Sequence, residues 1–258
     1  MLMLPNAESA LKHREGMQLM TDDVKVMTSG AFTAAYLELI PRLETLTQKK
    51  FVTLATSIGT GENSIPNRLR RAEAVDVVIV ADSVLRGFIE EGLILAESYT
   101  PLARSAIGMA VRAGAPKPDI SSVEALKRTL LQAQSIAYSA SVSGDYLTTE
   151  LYRRLGIAEQ VMKKSRLIGG GERVGAVIAR GEAEIGFQQM SELLPVPGIA
   201  HVTPLPGEVQ KVSVFSAGIA GTTSDSTVAR AVIKYLASPK AAGAITKSGL
   251  EPINPELG

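Results

Sequence analysis

The stretch Val75-Asp76-Val77-Val78-Ile79-Val80 constrains the fold more than any other part of the chain. A strand with one solvated face alternates apolar and polar residues. A nearly unbroken β-branched run therefore marks a strand covered on both faces, with helices above and below its sheet. The flanking sequence repeats the arrangement. Asp23-Val24-Lys25-Val26-Met27 reads as a first strand, and Phe32, Tyr36, Leu39, Leu43 and Leu46 then fall at helical spacing, with Pro41 expected to kink or break that helix. Later strands are expected over 107–111, 135–138, 184–187 and 211–219. Helices are expected over 147–155, closed by Gly156, and over 173–180, closed by Gly181. Val228, Val232, Tyr235 and Leu236 share one face of another, and Ser238-Pro239 opens a last one with a Ser cap and Pro at its first position. Alternating strand and helix signals predict an α/β protein with mostly parallel sheets. A length of 258 residues allows one large domain or two lobes with separate cores.

Composition excludes several functions. Lys and Arg (27) nearly cancel Asp and Glu (26), so the basic excess of a nucleic-acid binder is missing. Without cysteine there is no disulfide, thiolate nucleophile or Cys-based metal site. The two histidines, His13 and His201, cannot assemble a His-rich metal site, and His201 reads as a strand-edge residue. No G-x-x-x-x-G-K-[ST] sequence is present to support nucleotide hydrolysis. Residues 1–20 read as a leader expected to be disordered. They contain no apolar run long enough for a signal-peptide core, so the sequence as it stands predicts a cytoplasmic protein, or a periplasmic one if its N-terminus is truncated or misassigned.

Four passages, in order and at matching spacing, resemble one family. They are Ser29-Gly30-Ala31-Phe32 after the first strand; Arg68 to Val78 with Ala81-Asp82 beyond; Ala179-Arg180-Gly181-Glu182-Ala183-Glu184-Ile185-Gly186-Phe187; and Tyr235-Leu236-Ala237-Ser238-Pro239 running to Gly249-Leu250-Glu251-Pro252. Together they resemble the type 2 periplasmic solute-binding proteins, in the molybdate-binding-like branch. The resemblance implies two lobes, each a central sheet flanked by helices, joined by two crossing strands with the ligand between them. Lobe 1 would comprise 21–104 and 210–258, and lobe 2 would comprise 105–209. It also implies a monomer without a cofactor that binds a small anion, an oxyanion or polycarboxylate, and delivers it to an ABC transporter permease. Ser64-Ile65-Pro66-Asn67-Arg68-Leu69, the stretch from Ile107 to Pro116, and Phe187-Gln188-Gln189 resemble a side branch that includes aconitate isomerases. Receptor and isomerase both stand as expectations.

An anion is expected on physical grounds as well. A helix N-terminus offers unpaired N–H groups and partial positive charge. Thr28-Ser29-Gly30-Ala31, Thr56-Ser57-Ile58-Gly59-Thr60-Gly61 and Ser139-Ala140-Ser141-Val142-Ser143-Gly144 each read as such an entrance after a strand, rich in hydroxyls and glycine. Singly these are ordinary caps, but three of them at strand C-terminal ends, where open α/β sheets bind ligands, point to a site. The expected ligand contacts are Ser29, Gly30, Ala31, Ser57, Gly59, Thr60, Ser141, Val142, Ser143 and Gln188, the last in alternative with Gln189. Arg68 is the expected carboxylate-binding arginine, and Tyr146 the tyrosine that the family places in lobe 2. Arg104 and Arg112 read as surface ion pairs, and Gly169-Gly170-Gly171 as a flexible loop. For an isomerase the base is unidentified, with Glu62, Asp145 and Glu208 as candidates.

Overall fold

The computed structural model describes residues 23–253 except 56 and 60. Two mixed sheets flanked by helices form two lobes. The first sheet has the order β11-β4-β10-β3-β1-β2, built from β1 (Val24–Thr28), β2 (Phe51–Ala55), β3 (Val77–Ala81), β4 (Thr100–Ser105), β10 (Ser213–Ile219) and β11 (Glu251–Pro252). The second has the order β7-β6-β8-β5-β9, from β5 (Ile107–Arg112), β6 (Ile136–Ser139), β7 (Ser165–Ile168), β8 (Ile185–Gln189) and β9 (Ile199–Pro204). The chain crosses between them at Ala106, and again between Pro204 and Ser213.

The valine run behaves as its sequence requires. Val77 and Ile79 face a core with α1 (Gly30–Thr47), whereas Val78 and Val80 face the opposite core with α2 (Ile65–Arg70) and α3 (Asp82–Glu90). All four side chains are fully buried, each worth about 1.5–3 kcal/mol over exposure. On the outer side of the first core lie α9 (Ser226–Leu236) and α10 (Pro239–Lys247). In the second lobe, α4 (Val123–Gln132), α5 (Val142–Tyr146) and α6 (Ala158–Met162) cover one face, and α7 (Val174–Ala179) the other. Beyond Tyr146, α5 continues through a π-helical stretch (Leu147–Leu151) to Arg154. A four-residue helix, α8 (Met190–Leu193), follows β8 directly.

Three sequence expectations are corrected. The sheets are mixed rather than mostly parallel, because β10 and β5 enter from the other lobe. The start of β10 pairs with the end of β3 (Phe215 with Ala81), and the start of β5 pairs with the end of β8 (Ile107 with Gln189). Entry at that end forces an antiparallel direction. Secondly, α1 continues through Pro41, and Leu46 stands about half exposed rather than in the core. Thirdly, the Ser238 hydroxyl makes no cap to α10 and donates to the Tyr235 carbonyl at 2.7 Å.

Candidate functional site

Because strands from both lobes end or begin at the crossing, their loops converge on one inter-lobe cleft. Its volume is about 790 Å³, open solvent included, and it is lined by residues of both lobes. From the first lobe come Ser29, Gly30 and Ala31 at the start of α1, Ser57 and Gly59 after β2, and Phe215 of β10. From the second come Ser141 and Val142 at the start of α5, Gly169, Gly171 and Arg173 after β7, and Gln188, Gln189 and Glu192 at the end of β8.

The α1 entrance opens on the cleft. The Ser29 backbone is tied down by its N–H to the Ile79 carbonyl at 2.8 Å and by its own carbonyl, which accepts from Thr33 Oγ1 at 2.9 Å. Its hydroxyl, though 93% buried, has no hydrogen-bond partner among the described residues. A buried hydroxyl without a partner costs on the order of 1–3 kcal/mol, which a ligand in the cleft would recover. Gln188 Oε1 and Gln189 Oε1 are likewise buried without partners. In the facing lobe, the Ser139, Ser141 and Ser143 hydroxyls form a triangle with sides of 2.7, 3.1 and 3.1 Å. Ser143 is its fully buried member and does not reach the cleft wall.

Several expected residues sit elsewhere. No helix opens among the described residues 57–59 and 61: α2 begins only at Ile65, whose N–H reaches back to the Ser57 carbonyl at 2.8 Å, so Ser57 and Gly59 line the cleft from a loop. Thr60 lies outside the described residues. Arg68 is not on the cleft wall. Its Nε donates to Glu73 Oε2 at 2.6 Å, and its terminal nitrogens engage Glu73 Oε1 and the Leu54 carbonyl. The pair holds the Glu73 carboxyl below its ordinary range, chiefly by this hydrogen bond. Tyr146 is buried with its hydroxyl donating to the Val209 carbonyl at 2.7 Å, away from the cleft. Glu62, Asp145 and Glu208 are exposed and line no part of the cleft.

Two charged residues were missed. Glu192, in α8, presses its carboxylate against the first residue of α1. A Cβ at Gly30 would overlap Glu192 Oε1, so glycine is needed for this approach. Gln188 Nε2 donates to the same oxygen at 2.8 Å. Burial pushes the Glu192 carboxyl up to about 7, against smaller opposing effects of Arg173 and of the Gln188 hydrogen bond. Such a group exchanges a proton near neutrality. The available signal was positional: a carboxylate in the turn after β8, at the strand end where this class of fold binds. Arg173 is exposed at the cleft edge, after a loop in which Gly170 and Gly171 have φ of 67° and 88°. Among the described residues, no group of three or more His, Asp or Glu is placed to hold a metal ion.

The family model for bacterial extracellular solute-binding proteins matches residues 24–251, and the chain belongs to that family. It is similar to the aconitate isomerase of a Pseudomonas species, with 44% identity over 229 residues covering 88% of this chain and 87% of the relative. Among solved structures it resembles the periplasmic molybdate-binding protein of Azotobacter vinelandii (TM-score 0.70, 18% identity, covering 88% of this chain and 98% of that one). It also resembles a periplasmic thiamin binding protein (TM-score 0.70, 16% identity, covering 92% and 85%). These likenesses agree with a two-lobed fold of the molybdate-binding type.

Proposed function

We propose that the protein is an isomerase that interconverts cis- and trans-aconitate in the inter-lobe cleft. One observation carries the reading: a carboxyl raised to about 7 lies against the start of α1 on the cleft wall. In a passive receptor for an oxyanion, a carboxylate there only repels the ligand, whereas a proton-transfer enzyme needs a base of that kind. The similarity to an aconitate isomerase at 44% identity supports the same reading.

The chemistry is a 1,3-proton shift. Aconitate carries a CH₂ and a vinylic CH on either side of its central carbon. Glu192 takes a proton from the CH₂, and the electron pair left behind spreads over the allyl system and its carboxylates. The proton then returns from the Glu192 carboxyl to the far carbon, and the double bond has moved with its geometry reset. No atom is gained or lost. The N–H groups of α1 and the Ser29 hydroxyl hold a carboxylate on which charge develops, an oxyanion-type stabilisation. Ser141 and the N-terminus of α5 hold another. Gln188 keeps the Glu192 carboxyl directed into the cleft.

The test is to incubate purified protein separately with cis- and trans-aconitate and follow both isomers by proton NMR. Approach to a common ratio from either side is expected. No interconversion, together with a melting temperature raised by molybdate or sulfate but not by tricarboxylates, would return the cleft to an oxyanion receptor.

A further inference from the structure

We propose that Arg173 is the specificity element of the cleft, clamping a second carboxylate of the ligand and so selecting polycarboxylates over compact oxyanions. The inference rests on reading the cleft as a tricarboxylate site.

The first ground is charge. Arg173 is the single cationic side chain on the cleft wall among the described residues, and the wall also carries Glu172 and Glu192. Glu172 is already engaged by Arg180 at the surface. A trianion entering beside Glu192 meets like charge unless a cation offsets it, and the helix starts supply only partial charge. The second ground is availability. The Arg173 side chain forms no hydrogen bond or ion pair among the described residues, whereas Arg68, Arg70 and Arg180 are each committed to a glutamate. Its positive charge acts on the Glu192 carboxyl and opposes the effect of burial there. A planar guanidinium takes a carboxylate through two parallel hydrogen bonds, and a compact oxyanion seated at the start of α1 has no second carboxylate to offer it.

The third ground is delivery. Arg173 is the residue just before α7, after Gly169, Gly170 and Gly171. A Cβ at Gly170 or Gly171 would meet nothing within 4 Å, so space is open on that side of the loop. Both glycines adopt a left-handed backbone that other residues enter at a cost. The exposed Arg173 side chain therefore has open space at the cleft mouth in which to swing its guanidinium over a ligand seated at α1.

The test uses the intact protein and three ligands that cannot isomerise. They are tricarballylate (propane-1,2,3-tricarboxylate), glutarate (its central carboxylate removed) and succinate (one carboxymethyl arm removed), with affinities measured by calorimetry or competition. In Arg173→Ala, tricarballylate is expected to bind about tenfold to hundredfold more weakly, the worth of a charge-assisted hydrogen-bonded pair. Whichever truncated ligand lacks the clamped carboxylate should bind the wild type and the variant alike, and Arg173→Lys should recover part of the loss. An equal loss for all three ligands, or none for tricarballylate, overturns the clamp. A wild type that binds tricarballylate with the expected Arg173 dependence yet leaves aconitate unchanged defeats the isomerase reading and keeps the clamp. Aconitate turnover with an unaltered KM in Arg173→Ala does the reverse. A wild type that binds no tricarballylate overturns the clamp, and interconversion of aconitate then decides the isomerase reading by itself.

Discussion

Replacing Glu192 by Gln should sharply lower turnover and stabilise the fold, and the second effect should depend on pH in a direction the site dictates. The carboxyl is raised from 4.5 to about 7 because burial disfavours its charged form. Each pKa unit corresponds to about 1.4 kcal/mol, so the ionised side chain costs the folded state about 3 kcal/mol relative to its neutral form. A group whose folded pKa lies above its unfolded one stabilises below the unfolded value, here 4.5, and that contribution disappears as pH rises through about 7. The substituted amide would keep the Gln188 contact and carry no charge at any pH. The difference in stability between Glu192→Gln and wild type should therefore be small at pH 4 and grow to about 3 kcal/mol by pH 8, a shift of roughly 6–12 °C in melting temperature for a chain of this size.

The assay is a pair of thermal melts at half-unit steps from pH 4 to pH 9, with aconitate turnover measured on the same preparations. Turnover should fall about 10²- to 10⁴-fold, the usual worth of a positioned base. The wild-type kcat/KM should climb with pH and level off above about 7, as the base must be ionised to accept a proton. Melting curves that stay parallel across the range would refute the buried-carboxyl account. Turnover surviving in the variant would refute the base assignment independently.

Three further substitutions separate binding from stability. Gly30→Ala favours the helix by propensity but places a methyl where Glu192 Oε1 now lies; melting should change little, since a flexible side chain can yield, while kcat/KM should drop at least about tenfold. Ser29→Ala removes a buried hydroxyl that has no protein partner among the described residues, so calorimetry should find the fold as stable or up to about 1 kcal/mol more so and tricarballylate bound several-fold more weakly. Arg68→Ala breaks the contacts to Glu73 and Leu54 and should cost about 1–3 kcal/mol in denaturant unfolding, with ligand affinity unchanged; a loss of affinity would return Arg68 to the cleft.

The contrast between Arg68 and Glu192 explains what could be read from the sequence and what could not. The layered fold was legible in the 75–80 run because double-sided burial leaves a local pattern, and the Ser29–Ala31 and Ser141–Val142 entrances were legible because a strand, a hydroxyl and a helix start are adjacent in the chain. Strands with weak patterns were missed: β4 contains Pro101 and Arg104, and β7 is a four-residue edge with exposed Arg166 and Leu167. Arg68 had the right chemistry in a family-like passage, but Ala72 turns the chain back with φ of 54° and sets Glu73 against it, with the Glu73 N–H on the Arg68 carbonyl at 3.2 Å. Five residues of separation say nothing of that turn until the end of α2 is known. Glu192 is the opposite case. In sequence it is one acidic residue among 26, no more conspicuous than Glu62 or Glu208. Its character comes from burial where the lobes meet, and Gly30, some 160 residues earlier, is what lets the start of α1 lie against its carboxylate. A carboxylate becomes a base through its tertiary surroundings. For this chain, glycine at the first position of α1 is the closest thing to a sequence signature of the proposed base, and it is legible only once the two lobes are seen to meet there.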